Sequence, residues 1–357
     1  MTRFVSLFLL LIFAFSAPAL AQTSCAYHPS HSFAGLKRGI NLSRWWQADR
    51  QYVLDEDETV GLRAAGFNFI RLPLSPSWLE IEDADEQKER LEALRCDLVM
   101  LLNSGLSVVL DLHAPESFKR QDPEELLPRL QAVWQKLQLA LAGLPPQQVF
   151  LELYNEPRLT ATTWWVLQGK LIKALRPVYP RHTFIASAGP DNGAWALSQM
   201  KPYGDKNVIY DIHFYTPMFL THHGAEWRPD YDRREKFDQI VYPASKKFAT
   251  PDDSDKMQNY VAGDWNHQRL AASLKKLRAW KKRYGARVAC LEFGVYALYV
   301  DPQSRDHWLH DVRMILEEAG IPWALWEYRG GFGLADADGG LDEGMVKALD
   351  LRNNHTP

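Results

Sequence analysis

The sequence predicts an α/β protein, a (β/α)8 TIM barrel formed by one domain over residues 22–357, with a long loop after its sixth strand. Three observations predict it. Eight short β-rich runs alternate with longer segments of helical periodicity. Each run is apolar on both faces, as strands covered by helices must be. The runs end, at their C-terminal edges, in polar groups, and that edge is where barrels carry chemistry. A doubly wound open sheet would usually carry a glycine-rich phosphate loop after its first strand. Asn41-Leu42-Ser43-Arg44-Trp45-Trp46 is not one.

The first element along the chain is set aside from the fold. Arg3 supplies a positive charge, residues 4–15 are almost wholly apolar, and Ala19-Leu20-Ala21 ends the run with small residues. This pattern predicts a signal peptide over residues 1–21 and an exported protein, periplasmic or extracellular. The run is short for a membrane span, and no second run of sufficient length follows, so no span is expected in the mature chain. Three cysteines make no disulfide framework. Export allows one bridge, Cys290 lies in an apolar strand pattern as a buried thiol, and Cys25 with Cys96 is the remaining pair.

The strands are predicted at residues 36–43, 67–74, 107–114, 149–157, 183–189, 208–215, 288–295 and 323–330. Helical patterns fall between them at 55–65, 86–103, 123–142, 162–178, 264–284 and 304–319, the last stopping at Gly320 before Pro322. One connection is abnormal. Residues 216–263 are polar, aromatic and irregular, with Trp227, Tyr231, Phe237, Tyr242 and a turn cluster at 250–255. Loops of that length are uncommon unless functional, and a loop after a barrel strand lies on the catalytic face. It is expected to wall a cleft.

The polar strand ends are Arg71, His113, Asn155 with Glu156, His213 with Tyr215, Glu292 and Trp326. Two carboxylates on the fourth and seventh strands would face each other across the barrel mouth. Glycoside hydrolysis uses such a pair, one protonated toward the leaving oxygen and one ionised toward the anomeric carbon. His113 and His213 each follow an aspartate by two residues, Asp111 and Asp211, and that grouping could also suggest a metal-dependent hydrolase. No His-x-His pair stands on any strand, and no metal or cofactor is expected. Formal net charge is −3 with both signs mixed throughout, which gives no reason to expect a nucleic-acid partner.

Leu151-Glu152-Leu153-Tyr154-Asn155-Glu156-Pro157 resembles the Asn-Glu-Pro signature of glycoside hydrolase family 5, and the resemblance extends over the mature chain. Arg71 in Ile70-Arg71-Leu72-Pro73, His113 in Asp111-Leu112-His113, Asn155, Glu156, His213, Tyr215, Glu292 in Leu291-Glu292-Phe293-Gly294, and Trp326 match the family's set of eight in order. The resemblance implies a retaining hydrolase of β-linked polysaccharide. Glu156 would be the acid/base, kept protonated by the negative charge of Glu292. Glu292 would be the nucleophile, held ionised by hydrogen bonds from Arg71 and Tyr215. Asn155 would hold the sugar 2-hydroxyl, His113 and His213 would orient sugar and carboxylates, and Trp326 would lie under the sugar.

Endo-action on β-1,4-glucan by a monomer is the first expectation, with β-mannan and β-1,3-glucan as alternatives. A non-catalytic carbohydrate-binding barrel would have lost one glutamate, and neither is lost. Thirteen tryptophans offer further stacking surfaces. Trp46 (beside Trp45), Trp78, Trp195 and Trp227 follow four different strands and could line distal subsites, or pack between loops and helices. Trp227 and Trp46 are the expected sugar contacts. Glu152 reads as a buried structural partner, with Arg71 as its candidate. Glu327 departs from the small polar residue expected after Trp326 and is read as pointing away from the cleft.

Overall fold

Eight parallel strands close on themselves in chain order, with β8 hydrogen-bonded back to β1. The computed structural model describes residues 25–29, 33, 35–47, 52–115, 118, 122–228, 240–245, 255–336 and 338–352. The signal-peptide expectation for residues 1–21 lies outside them, as do Tyr231, Phe237 and most of the 250–255 cluster.

The strands are β1 Arg38–Asn41, β2 Phe69–Leu74, β3 Ser107–Leu112, β4 Val149–Glu152, β5 Phe184–Ala186, β6 Val208–His213, β7 Arg287–Phe293 and β8 Trp323–Leu325. All but β2 stop two to five residues before the predicted ends. The reason is local: the chain leaves regular pairing where the polar residues gather. Single bonds such as His113 N–H to Leu74 O and Asn155 N–H to Leu112 O continue the ladder past the last paired residue.

The helices begin where the sequence supplies caps. Asp55 and Glu58 form a capping box at helix Glu56–Ala65, and Gly66 ends it with φ of 115°. Asp83, Asp122, Thr160 and Asp301 cap the helices Ala84–Asn103, Pro123–Leu141, Ala161–Leu175 and Pro302–Glu318. The helix predicted at 264–284 is two. Asn266 caps His267–Ser273, and Lys275–Tyr284 follows after Leu274. Met218–Thr221 and Asp255–Ala262 lie within the long connection after β6.

Cys25 and Cys96 are bonded, which ties the start of the described chain to helix Ala84–Asn103, and Cys290 is a buried free thiol. Among the described residues no helix is long and apolar enough to cross a membrane.

The barrel interior is layered by strand parity. Phe69, Val109, Phe150, Ile185, Ile209, Ala289, Leu291 and Ala324 pack into one apolar cluster inside the barrel. Two residues further along β2, β3, β4 and β6, the inward side chains are Arg71, Asp111, Glu152 and Asp211, all buried. The apolar layer is thus the floor on which a charged layer rests, and the cleft opens above it.

Candidate active site

Arg71 is the hub of the charged layer. Its Nε and Nη2 donate to the two carboxylate oxygens of Glu152, each at 2.7 Å. Nη1 donates to Glu292 Oε1 at 2.6 Å and to Asn41 Oδ1 at 2.9 Å, and Nη2 reaches Asn155 Oδ1 at 2.9 Å and Asp111 Oδ2 at 3.0 Å. Burial works against the guanidinium charge. Asp111, Glu152 and Glu292 outweigh it, so Arg71 is held well above its usual value. The reading of Glu152 as a buried partner of Arg71 is what the structure shows.

Glu292 reaches the cleft through an irregularity. Strand parity places Ala289 and Leu291 inside the barrel and Cys290 outside, so Glu292 in a regular strand would face the helices. Between β6 and β7 the register slips: Ile212 pairs with Cys290, but His213 pairs with Glu292. The slip turns Glu292 inward, where Arg71 and Tyr215 both bond it, the Tyr215 hydroxyl donating to Oε2 at 3.0 Å. Burial and the charges of Glu292 and Glu156 hold the Tyr215 phenol well above its usual value, so it remains a donor. Gly294 follows because a Cβ there would stand 2.3 Å from the Trp326 carbonyl oxygen.

Glu156 is reached by a second irregularity. It has φ of 41°, a left-handed conformation that costs a non-glycine residue about 1–3 kcal/mol. Asn155 and Glu156 are adjacent, and an extended strand would send them to opposite faces. With this turn Asn155 bonds Arg71 and meets His113 Nε2 at 3.3 Å, while Glu156 Oε1 lies 2.8 Å from His213 Nδ1. The same Nδ1 is 3.3 Å from Glu292 Oε2. One oxygen of Glu156 lies within 4.8 Å of one oxygen of Glu292.

His113 Nδ1 is 2.9 Å from Asp111 Oδ2, and its ring stacks on Trp326 with centroids 5.7 Å apart and planes 21° apart. Glu156, Glu292, His113, Asn155, His213, Tyr215, Trp326 and Trp227 all line one cleft of about 450 Å³. Arg71 lies beneath it. Trp227 is 56% exposed and stands edge-on to Tyr296, with centroids 5.2 Å apart.

Trp46 is a correction. It is 2% exposed, its indole N–H donates to Asp97 at 2.8 Å, and its ring meets Trp78 edge-to-face at 5.3 Å. A ring so enclosed packs the loop after β1 against helix Ala84–Asn103 and offers no face to a sugar. Trp45 is also fully buried, while Trp195 is 66% exposed. Glu327 is buried away from the cleft lining and accepts a hydrogen bond from the Ser43 hydroxyl. Burial raises its carboxyl above the usual value.

Several cleft residues went unpredicted: Arg158, Asp191, Met218, His222, Arg228 and Phe332. His222 is the most informative. Burial, with Arg228 adding to it, pushes its imidazole down to about 4, so the ring is neutral beside the carboxylates. The Thr221 hydroxyl donates to the Tyr215 carbonyl and so accepts from His222 Nδ1 at 3.0 Å. The His222-His223 tandem in an otherwise irregular connection was the available signal.

Glu152 carries a testable consequence. Burial pushes its carboxyl up to about 8, with Arg71 pulling it back only partly because Asp111 and Asp211 add negative charge. A folded value above the usual 4.5 means the folded protein holds a proton that the unfolded chain releases. That contribution to stability is complete below 4.5 and is lost as pH rises through about 8. Glu152→Gln, uncharged at every pH, should flatten the fall of unfolding temperature between pH 5 and 8.5. An unchanged slope would contradict the assignment. If a native-like Glu152→Gln protein were as inactive as Glu156→Gln, the choice of acid would have to change.

The family described as Cellulase (glycosyl hydrolase family 5) matches residues 31–331. The chain is similar to Endoglucanase 3 of Fibrobacter succinogenes, 27% identical over 88% of this chain and 52% of that protein. The chain therefore spans about half the length of that relative. It is also similar to Endoglucanase C of Acetivibrio thermocellus, 26% identical over 82% of this chain and 91% of the other. Among solved structures, Thermotoga maritima Cel5A in complex with mannotriose superposes with a TM-score of 0.74 at 26% identity, covering 88% of this chain and 97% of that one. The same protein in complex with cellobiose gives 0.73 at 27% identity, with the same shares of the two chains covered.

Proposed function

Because the chain belongs to the cellulases of glycosyl hydrolase family 5, we propose that it is a retaining, endo-acting hydrolase of β-1,4-glucan. The observation that carries this reading is that one oxygen of Glu156 and one of Glu292 lie within 4.8 Å of each other, both against His213 Nδ1. Retaining enzymes hold their carboxyl groups about 5–5.5 Å apart, whereas inverting enzymes leave roughly 6.5–9.5 Å for a water between them.

In the first step Glu156 gives its proton to the leaving oxygen and Glu292 attacks the anomeric carbon. The donors on Glu292, Arg71 and Tyr215, keep the attacking carboxylate ionised and aimed. Asn155 has its carbonyl oxygen on Arg71 and its amide nitrogen 3.3 Å from His113 Nε2, which leaves one amide N–H for the sugar 2-hydroxyl. In the second step Glu156, now ionised, takes a proton from water, which opens the glycosyl ester. Trp326, backed by His113, is the floor under the sugar.

The relatives named endoglucanases support glucan as substrate, and the mannotriose complex of the similar Thermotoga protein keeps β-mannan as the second reading. A screen of purified protein on polysaccharides of defined linkage separates them. Release of oligosaccharides from β-1,4-glucan with a rapid fall in viscosity is expected. Activity on mannan alone, or on β-1,3-glucan alone, would overturn the substrate assignment.

Trp227 is proposed as a sugar platform beyond the cleavage point. Stacking of this kind contributes about 0.5–1.5 kcal/mol, and remote binding energy can be used at the reacting centre. Trp227→Ala should therefore lower turnover of polymer by up to about tenfold, and much more than turnover of a small aryl glycoside. Equal losses on both substrates would mean that the residue supports the catalytic centre itself. We further propose that the protein is exported and acts as a monomer. The apolar N-terminal run and the Cys25–Cys96 bridge support export, since such bridges persist in oxidising compartments.

A further inference from the structure

The Asp-x-His pairs on β3 and β6 share a spacing but not a charge balance. Asp111 Oδ2 faces both His113 Nδ1 at 2.9 Å and Arg71 Nη2 at 3.0 Å, so an arginine already answers its charge. The other nitrogen of His113 faces the amide of Asn155, and a neutral ring satisfies both contacts. Asp211 is placed differently. Its Oδ1 accepts the Leu291 N–H at 3.0 Å, and its Oδ2 accepts from Asn192 Nδ2 at 2.7 Å. The remaining contact of Oδ2 is His213 Nε2 at 3.1 Å. The other ring nitrogen, Nδ1, meets Glu156 Oε1 at 2.8 Å and Glu292 Oε2 at 3.3 Å. Nε2 also lies 3.2 Å from Asn192 Nδ2, which already donates to Asp211 Oδ2. Both nitrogens of His213 therefore face carboxylate oxygens, and a ring that donates from both satisfies them.

We propose that Asp211, steadied by Asn192, is a positioning residue that keeps His213 doubly protonated, so that one N–H stands between the two catalytic carboxylates throughout the reaction. The inference rests on the roles of Glu156 and Glu292 given above. Before attack the negative charge is on Glu292. In the glycosyl-enzyme Glu292 is an ester, Glu156 has given its proton to the leaving oxygen, and the charge is on Glu156. Nδ1–H reaches both groups in one ring position, so the hydrogen bond follows the charge while His213 neither gains nor loses a proton.

The groups around the ring agree with this. Asp211 faces it from its own strand, Glu292 from β7, Glu156 from the end of β4 and Asn192 from the connection after β5. Tyr215 and Cys290 lie close by, both held neutral by burial, and Arg71 stands on the far side of Glu292. Burial disfavours charge on His213, but Glu292 and Asp211 outweigh it and hold the imidazole well above its usual value. Asn192, with φ of 44° and its side chain fully buried, is placed by its backbone to serve Asp211.

The test reads the ring directly. Nitrogen NMR of labelled enzyme should show both nitrogens of His213 protonated from pH 5 to 8. The same should hold after trapping with a 2-deoxy-2-fluoro-cellobioside. In Asp211→Asn the ring should carry one proton near neutral pH. Losing that cation raises the carboxyls of both Glu292 and Glu156, so both limbs of the kcat/KM profile should move to higher pH by about one unit. In the same variant kcat should fall by about tenfold and KM should change less. A singly protonated His213 at pH 7 in the unaltered enzyme would overturn the inference, whatever the variant does. So would an Asp211→Asn enzyme that is slower at every pH with both limbs in place. If the variant does not fold, the wild-type spectrum decides. A neutral His213 in a protein that still hydrolyses β-glucan removes the inference alone. Failure of the functional reading would show separately, as no turnover on any β-glycan.

Discussion

Replacing Glu292 by alanine should reduce turnover by at least about 10⁴-fold on any substrate, because the covalent route then has no nucleophile. The loss should not come from unfolding. Glu292 lies at the end of β7, above the apolar layer, and its partners Arg71 and Tyr215 keep other contacts: Arg71 remains clamped by Glu152. Azide should restore turnover of an activated aryl glycoside by entering the space that the carboxylate leaves. It attacks from the same face, so the glycosyl azide formed has the inverted configuration. Rescue with retained configuration, or substantial activity without azide, would place the nucleophile elsewhere.

The second large effect separates the two glutamates. Glu156→Ala should slow cleavage of polymer by about 10²–10⁴-fold, the usual contribution of a positioned acid. Substrates whose leaving groups need no proton, such as a dinitrophenyl glycoside, should still form the glycosyl-enzyme at close to the normal rate. Their turnover would then be limited by hydrolysis of that ester, which has lost its base, and a burst of phenol should precede a slow steady state. The alanine also relieves the left-handed backbone at residue 156 only slightly, since φ of 41° disfavours any side chain. Equal loss on both substrate types, without a burst, would contradict the assignment of Glu156 as acid/base.

Much of this site was legible in the sequence because the barrel places chemistry where apolar strands end. Arg71, His113, Asn155, Glu156, His213, Tyr215, Glu292 and Trp326 were read from such ends, and the structure gathers them around one cleft, with Arg71 beneath it. What periodicity could not supply is how two of them arrive there. Glu292 has the parity of Cys290, which faces outward, and only the slipped register against β6 brings it inside. Glu156 and Asn155 share the mouth because the chain turns left-handed after β4. Both devices depend on tertiary pairing and leave no mark in composition.

Trp46 was misread for a related reason. Its partner Asp97 is 51 residues away on helix Ala84–Asn103, and nothing near Trp46 in sequence announces that its N–H is already taken. His222, Asn192 and Arg228 lie in irregular connections, where side-chain direction follows from packing and no period can be counted. The helix boundaries fared better, since Asp55, Asp122, Asp301 and Gly320 act within a few residues of themselves.

The central claim is that Glu292 forms a covalent bond to the sugar while Glu156 serves as acid and then base. Incubation with a 2-deoxy-2-fluoro-cellobioside bearing a good leaving group, followed by proteolysis and mass spectrometry, tests it most directly. One equivalent of sugar should appear on the peptide containing Leu291-Glu292-Phe293, with loss of activity in step and recovery as the ester slowly hydrolyses. Sugar on Glu152 or Glu156, or no adduct at all from an active enzyme whose first product has the inverted configuration, would contradict the account.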